Sequence, residues 1–432
     1  MEKALKKLSS NQILSLLTYP PYLYFSISVF SSQVAFNMLN AVLIFLVFYL
    51  TSSNFAVAIL LFAVLIPQIF ISFFGGIIAD KSNKKTILVI GNFLRAVVIL
   101  ALFFNFKSLY LVYIVTFLIS AITQFYVPAE APMIPSLIDK NRLVAANSIF
   151  GISLFGSILI GYVLAGPAIQ TLGRGNIFMV ISVVFFLAAL FAALIPTKYI
   201  LNTDHDKKVI KLSIANEFSK SFDLLKKTKI VGEAFFLLIC SQIIIFILAT
   251  LLPGYAKSIL DTKPEDLSLI LFGPAAVGMV IAALAIGSVF NKTPKNKLMN
   301  VGIVMSGLAL FLLPFTSRIF SQHIVGTINI FLPKFAKLNV FNFVLLLAFI
   351  AGFANALIFI PSQAAIQEII PENFRAKIYG LLFALIGIFS LVPIMIAGGL
   401  ADTVGVGAVF LFLGIAILLV GVWRGGLIKK WS

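Results

Sequence analysis

Two ionisable side chains stand inside apolar runs that are otherwise free of charge: Arg95 in "IGNFLRAVVIL" and Glu130 in "FYVPAEAPMI". A charge at membrane depth is costly and needs a partner or a task. Arg95 follows Lys85 by 10 residues and Glu130 precedes Asp139 by 9. At 1.5 Å per helical residue both lie roughly 14–15 Å inside the same boundary. A buried ion pair is the expectation, and it has two readings: a static strut, or a carboxylate that takes up a proton when its surroundings lose water. Other chemistry is thinly supplied. The two histidines, His205 and His323, are 118 residues apart in polar stretches, and the single cysteine, Cys240, sits in "LLICSQIIIF". These residues build no disulfide, no metal site and no nucleophile-base pair. The chain reads as a non-enzyme with no catalytic, cofactor-binding or metal-ligating set.

The elements that must position these charges follow from composition. Of 432 residues, 61% are apolar and 11% charged, far from the balance of soluble domains. Spans of roughly 20 apolar residues fall at 23–50, 55–79, 86–106, 108–130, 143–171, 176–196, 231–256, 267–290, 298–317, 340–367, 376–400 and 404–424. The fold class is therefore an all-α polytopic membrane protein of twelve transmembrane helices in two six-helix bundles. Its parts are an N-terminal segment 1–22, a bundle 23–196, a linker 197–230, a second bundle 231–424 and a tail 425–432. The linker carries "DHDKK" and "KKTK" and has helical periodicity in "IANEFSKSFDLL". Pro20-Pro21 interrupts the first apolar run, so a removable signal peptide is not expected.

The net charge of +17 tests the span count, because cytoplasmic loops hold the excess of Lys and Arg. Alternating the spans puts 24 of the 32 basic residues on one side, seven on the other and Arg95 inside. That imbalance predicts both termini in the cytoplasm of a plasma (inner) membrane protein. It leaves no basic surface for nucleic acid; the expected partners are the lipid bilayer and a small substrate, and the expected state is a monomer.

The halves also repeat, as in transporters built from duplicated bundles. "GIIADKSNKKTILVIG" at 76–91 matches "GSVFNKTPKNKLMNVG" at 287–302, an offset of 211 that pairs Gly91 with Gly302. "PAEAPMIPSLIDKNR" at 128–142 matches "PSQAAIQEIIPENFR" at 361–375, an offset of 233. The difference of 22 residues falls near 318–340, where "INIFLPKFAKL" reads as an amphipathic segment on the outer surface. Arg95 and Glu130 map onto Ser306 and Gln363, so both charges are absent together from the second half.

"GIIADKSNKK" resembles the loop signature of the major facilitator superfamily, matching at Gly76, Asp80, Lys81, Lys84 and Lys85 and departing at Asn83. The surrounding wording is most similar to the branch of macrolide-type drug exporters, the enterobactin exporter and the lysophospholipid transporter. The resemblance implies that these five residues form a conformational gate in which Asp80 faces the start of span 11; the lysines equally satisfy positive-inside topology. "GYVLAGPAIQTLG" resembles the span-5 antiporter signature at Gly161, Gly166 and Pro167, with Ile169-Gln170 where the exporters carry Gly-Gly. Those residues serve antiport or plain helix packing.

By the same resemblance, spans 1, 4, 7 and 10 line the cavity. They offer Gln33, Asn37 and Asn40, then Ser120, Thr123 and Gln124, then Ser241 and Gln242, then Asn355, Gln363 and Gln367. Such groups either meet substrate or bond between helices at roughly 0.6 kcal/mol each. A neutral hydrogen-bonding cavity among 44 phenylalanines suits a hydrophobic or amphiphilic compound. The leading function is its export by alternating access as proton-coupled antiport, with the proton gradient as energy source and no cofactor. A lysophospholipid facilitator and a non-transporting membrane receptor or scaffold are the alternatives. "GGLADTVG" at 398–405 follows no strand and reads as helix packing or a short loop.

Overall fold

A computed structural model describes residues 12–139, 142–196, 229–290, 292–316, 340–370 and 372–431. The expected linker helix, the segment at 318–340 and the N-terminal lysines lie outside those residues. Among the described residues, twelve helices are long and apolar enough to cross a membrane. This is the physical consequence of a solvent that offers no hydrogen bonds: each span must satisfy its backbone internally.

In chain order the helices are α1 Pro20–Thr51, α2 Asn54–Lys81, α3 Lys84–Asn105, α4 Leu109–Leu137, α5 Leu143–Leu172, α6 Asn176–Ala193, α7 Lys229–Tyr255, α8 Gly273–Ser288, α9 Lys295–Leu312, α10 Val340–Ile369, α11 Glu372–Val404 and α12 Val406–Trp431. A short helix, Gln12–Leu17, precedes α1. Two boundaries differ instructively from expectation. α4 continues past 130 to Leu137 through Pro128, Pro132 and Pro135; prolines do not stop a span whose freed carbonyls are satisfied by neighbouring groups. The eighth span opens with a 3-10 turn at Pro264–Asp266 and a π turn at Ser268–Phe272 before α8 begins.

Caps mark where apolar runs meet the polar boundary. Asn83, the departure from the loop signature, is the N-cap of α3, and its side chain accepts from the N–H of Thr86 at 3.3 Å. Glycine could not supply that oxygen, so the substitution exchanges backbone freedom for a helix cap. Ser108 caps α4 in the same way through the N–H of Leu111.

The described residues fall into two compact units: those within Met1–Leu46 and Phe62–Lys211, and those within Val47–Leu61 and Leu212–Ser432. The spatial division is therefore not the division in chain order, because the end of α1 and the start of α2 belong to the second unit. Within the first unit α3 packs on α4 and α6; within the second, α9 packs on α10 and α12. Side chains continue the correspondence. A methyl at Gly91 would stand 3.0 Å from the Tyr126 ring of α4, and one at the matching Gly302 would stand 2.7 Å from the Ala354 carbonyl of α10. The repeat read from the sequence is thus a repeat of helix pairings.

Close approach is strictest where backbone meets backbone. A Cβ at Gly75 would lie 2.0 Å from the Gln124 carbonyl oxygen, and one at Gly352 would lie 1.9 Å from that of Ala275. Gly76 and Gly287, the signature glycines, have open space beside them. Gly75→Ala and Gly352→Ala are each expected to lower stability by about 2–3 kcal/mol through forced helix separation. Gly76→Ala and Gly287→Ala should change it by less than about 1 kcal/mol. Thermal denaturation of the purified protein in detergent measures both.

Candidate functional site

The first unit holds a polar cluster at membrane depth built by α1, α3 and α4. On α3 the buried positions Leu88, Gly91, Asn92, Arg95, Ala96, Ile99 and Leu102 recur at helical spacing, so Arg95 points into the protein. On α4, Tyr126 and Glu130 are one turn apart on the same buried face. Arg95 and Glu130 are each only 2% exposed. Ser32 and Gln33 come from neighbouring positions on α1.

Arg95 is held by neutral groups. Its Nη1 donates to the Ser32 hydroxyl at 3.1 Å and its Nη2 to the Thr123 hydroxyl at 3.0 Å. The guanidinium carbon lies 4.1 Å from the centre of the Tyr126 ring, with the Phe36 and Phe185 rings at 5.7 and 5.6 Å. Aromatic faces attract a desolvated cation by about 2 kcal/mol or more. Asn92 ties this cage together: it accepts from Ser32 at 2.7 Å and donates to the Tyr126 hydroxyl at 3.3 Å.

Glu130 is held separately. Both of its oxygens accept from Nε2 of Gln33, at 3.0 and 3.1 Å. The sequence predicts a direct ion pair between Arg95 and Glu130; the structure instead keeps their polar atoms beyond ion-pair distance among the described residues. The reason lies on α4, where Tyr126 presents its ring to the guanidinium one turn before Glu130. A strut would join guanidinium and carboxylate through parallel hydrogen bonds. Here the anion rests on an amide, which can donate to a carboxylate or accept from a carboxylic acid.

The remaining expected residues divide sharply. Thr123 and Gln124 bond carbonyls of their own helix, at Ile119 and Ser120, although Thr123 also receives Arg95. Asn37 bonds the Gln33 carbonyl at 2.9 Å and the Ser157 hydroxyl at 3.4 Å. Gly161 lets α5 settle there: a Cβ on it would stand 2.6 Å from that of Asn37. Pro167 lies within α5, and Gly166 beside it is buried.

In the second unit Asn355 donates to Ser241 at 2.9 Å, and Gln363 accepts from the Tyr379 hydroxyl. Gln363 thus finds a neutral partner in the register where Glu130 stands in the first half. Asn40 and Gln242 are half-buried. Of the loop signature, Lys84 and Lys85 open α3, while the side chains of Asp80 and Lys81 lie outside the described set. Tyr126, Asn92 and Ser32 are the members sequence reasoning misses. Their signal is present as spacing: Tyr126 is four residues before Glu130 and Asn92 three before Arg95.

The Major Facilitator Superfamily profile matches residues 25–333. The chain belongs to that superfamily. It is 24% identical over 390 residues to the uncharacterized MFS-type transporter YfiS of Bacillus subtilis (strain 168), spanning 88% of this chain and 87% of that one. The nucleoside transporter NupG shares the fold with a TM-score of 0.72 at 13% identity, across 94% of this chain and 98% of that one. A POT family transporter in complex with a thioalcohol-conjugated peptide has a TM-score of 0.70 at 14% identity, across 94% and 96%. This superfamily member is accordingly a membrane transporter, and the comparisons stop short of the exporter branch.

The cage around Arg95 makes a selective stability prediction. Thr123→Val leaves a second buried guanidinium nitrogen without an acceptor, beside Nε, and is expected to cost about 1–3 kcal/mol. Thr116→Val, which removes a buried hydroxyl bonded only to the Val112 carbonyl of its own helix, should cost less than about 1 kcal/mol. Parallel melting curves of the two variants decide it.

Proposed function

We propose that this superfamily member exports hydrophobic or amphiphilic small molecules across the plasma membrane by alternating access, as a proton-coupled antiporter with Glu130 as the coupling carboxylate. One observation carries the proposal: Glu130 is buried at membrane depth on an amide partner suited to either of its protonation states, while the direct bonds of Arg95 go to hydroxyls and rings rather than to the carboxylate. A carboxylate so placed can gain or lose a proton without dismantling the cage that positions it. Entry of the substrate, or a change in solvent access, supplies the altered surroundings that move the proton.

The substrate class is supported by the neutral character of the predicted lining, with Gln33, Asn355 and Gln363 as hydrogen-bonding groups and no fixed charge beyond the Arg95–Glu130 region. Cytoplasmic termini are supported by the 24-to-7 division of basic residues. The proton gradient takes the place of a bound cofactor as the source of energy.

Reconstitution into liposomes with an imposed proton gradient tests the assignment, using ethidium and a fluorescent lysophospholipid as probes. The expected result is gradient-driven movement of probe that a protonophore abolishes. Glu130→Gln should lose at least tenfold of the gradient-driven rate while retaining exchange of probe across a membrane without a gradient. A Glu130→Gln variant that still follows the gradient overturns the coupling role. Wild-type movement of lysophospholipid that ignores the gradient would identify a facilitator instead.

A further inference from the structure

Asp402 stands two residues before the end of α11, in the "GGLADTVG" stretch that the sequence reads as packing. Its partner is the first turn of α2, 348 residues earlier in the chain and in the same compact unit. Oδ1 accepts from the N–H of Asn54 at 2.8 Å and from the Asn54 side-chain amide at 2.9 Å. Oδ2 accepts from the N–H of Phe55 at 3.1 Å and from the Ser53 hydroxyl. A helix start leaves its first N–H groups without partners and concentrates partial positive charge. Ser53 already provides the local cap, accepting from the N–H of Ala56 at 3.1 Å. The full negative charge arrives from a distant helix.

The rest of the link between α1 and α2 is gripped from two directions. A Cβ at Gly254 of α7 would lie 2.4 Å from Oδ1 of Asn54; one at Gly398 of α11, a turn before Asp402, would lie 3.0 Å from the Asn54 carbonyl. Lys257, just past α7, donates to the Ser52 hydroxyl at 3.0 Å and stands 6.0 Å from the Phe48 ring centre. Ser52 itself turns the chain in the left-handed region, with φ of 52°. Close approach at two glycines, a turn held in a sparsely populated conformation and four bonds to a single carboxylate all fix the same four residues, Ser52–Phe55.

We propose that Asp402 is a positioning residue for transport: its carboxylate latches the α1–α2 link onto α11, beside the contacts of Gly254 and Lys257, and release of the carboxylate's bonds is the step that frees the link during the transport cycle. The latch is cooperative, because the four donors share one carboxylate and two are consecutive backbone amides that move together. It acts independently of proton uptake at Glu130, so either assignment can fail alone.

Amide hydrogen exchange of the full chain in lipid nanodiscs, followed by mass spectrometry, tests it. Asp402→Asn keeps the shape but turns one acceptor into a donor. Exchange in peptides covering 47–61 is expected to accelerate about tenfold or more, with peptides from α4 unchanged. Gly254→Ala, which displaces Asn54, should act in the same direction. Ser53→Ala removes one of the four bonds and should give a smaller acceleration, keeping the test open if Asp402→Asn does not fold. A second readout is the rate at which an impermeant maleimide labels a cysteine placed at the buried Ala56 in a Cys240→Ser background. That rate should rise with Asp402→Asn while the melting midpoint of the remainder holds. Unchanged exchange and labelling, or acceleration spread evenly over all helices, overturns the proposal. Glu130→Gln should leave both readouts at their wild-type values.

Discussion

A medium without water makes an unpartnered polar group costly, and this obligation to find partners inside the protein organises the structure at each scale. It makes each span a helix. It then decides where helices touch, because the favourable energy left between apolar surfaces in lipid comes from close packing and a few hydrogen bonds. The Ser120 hydroxyl reaches the Val64 carbonyl, Ser182 reaches Ala96, and Ser28 reaches Ala188. Each bond spends a small side chain to place one helix against another. Gly75 and Gly352 do the same by having no side chain at all.

The same obligation explains the most expensive residue in the first unit. Arg95 cannot be left to lipid and makes no direct ion pair with Glu130; two hydroxyls, an asparagine-linked tyrosine and two phenylalanine rings hold it. Glu130 takes its hydrogen bonds from Gln33 instead. In the second unit Gln363 occupies the corresponding register and its partner is a tyrosine hydroxyl. The duplicated architecture thus carries buried charges in one half and a neutral counterpart at the matching register of the other.

Asp402 and the link at Ser52–Phe55 show the obligation at a helix end rather than in mid-span. First-turn amides must be satisfied, and here part of that satisfaction comes from a remote carboxylate. A bond that completes a helix start and simultaneously ties two distant parts of the chain is well suited to a moving protein. It is strong when made and local when broken.

Sequence alone determined the twelve spans, the duplicated halves and the superfamily, because hydrophobic length, charge sidedness and short loop motifs are local properties of the chain. It also identified Arg95 and Glu130, since a charge inside an apolar run is visible without a fold. What it could not supply was how those two are held. Their separation depends on Tyr126 turning its ring toward α3 and on Gln33 arriving from α1, which are facts of helix rotation and distance. Likewise Asn83 read as a defect in a motif until its oxygen was seen to cap α3. The stretch containing Asp402 read as helix packing or a short loop until the fold set it against residues 348 positions away. A periodic pattern fixes which face of a helix is buried, but only the packed bundle decides which partner that face meets, because the partner comes from elsewhere in the chain.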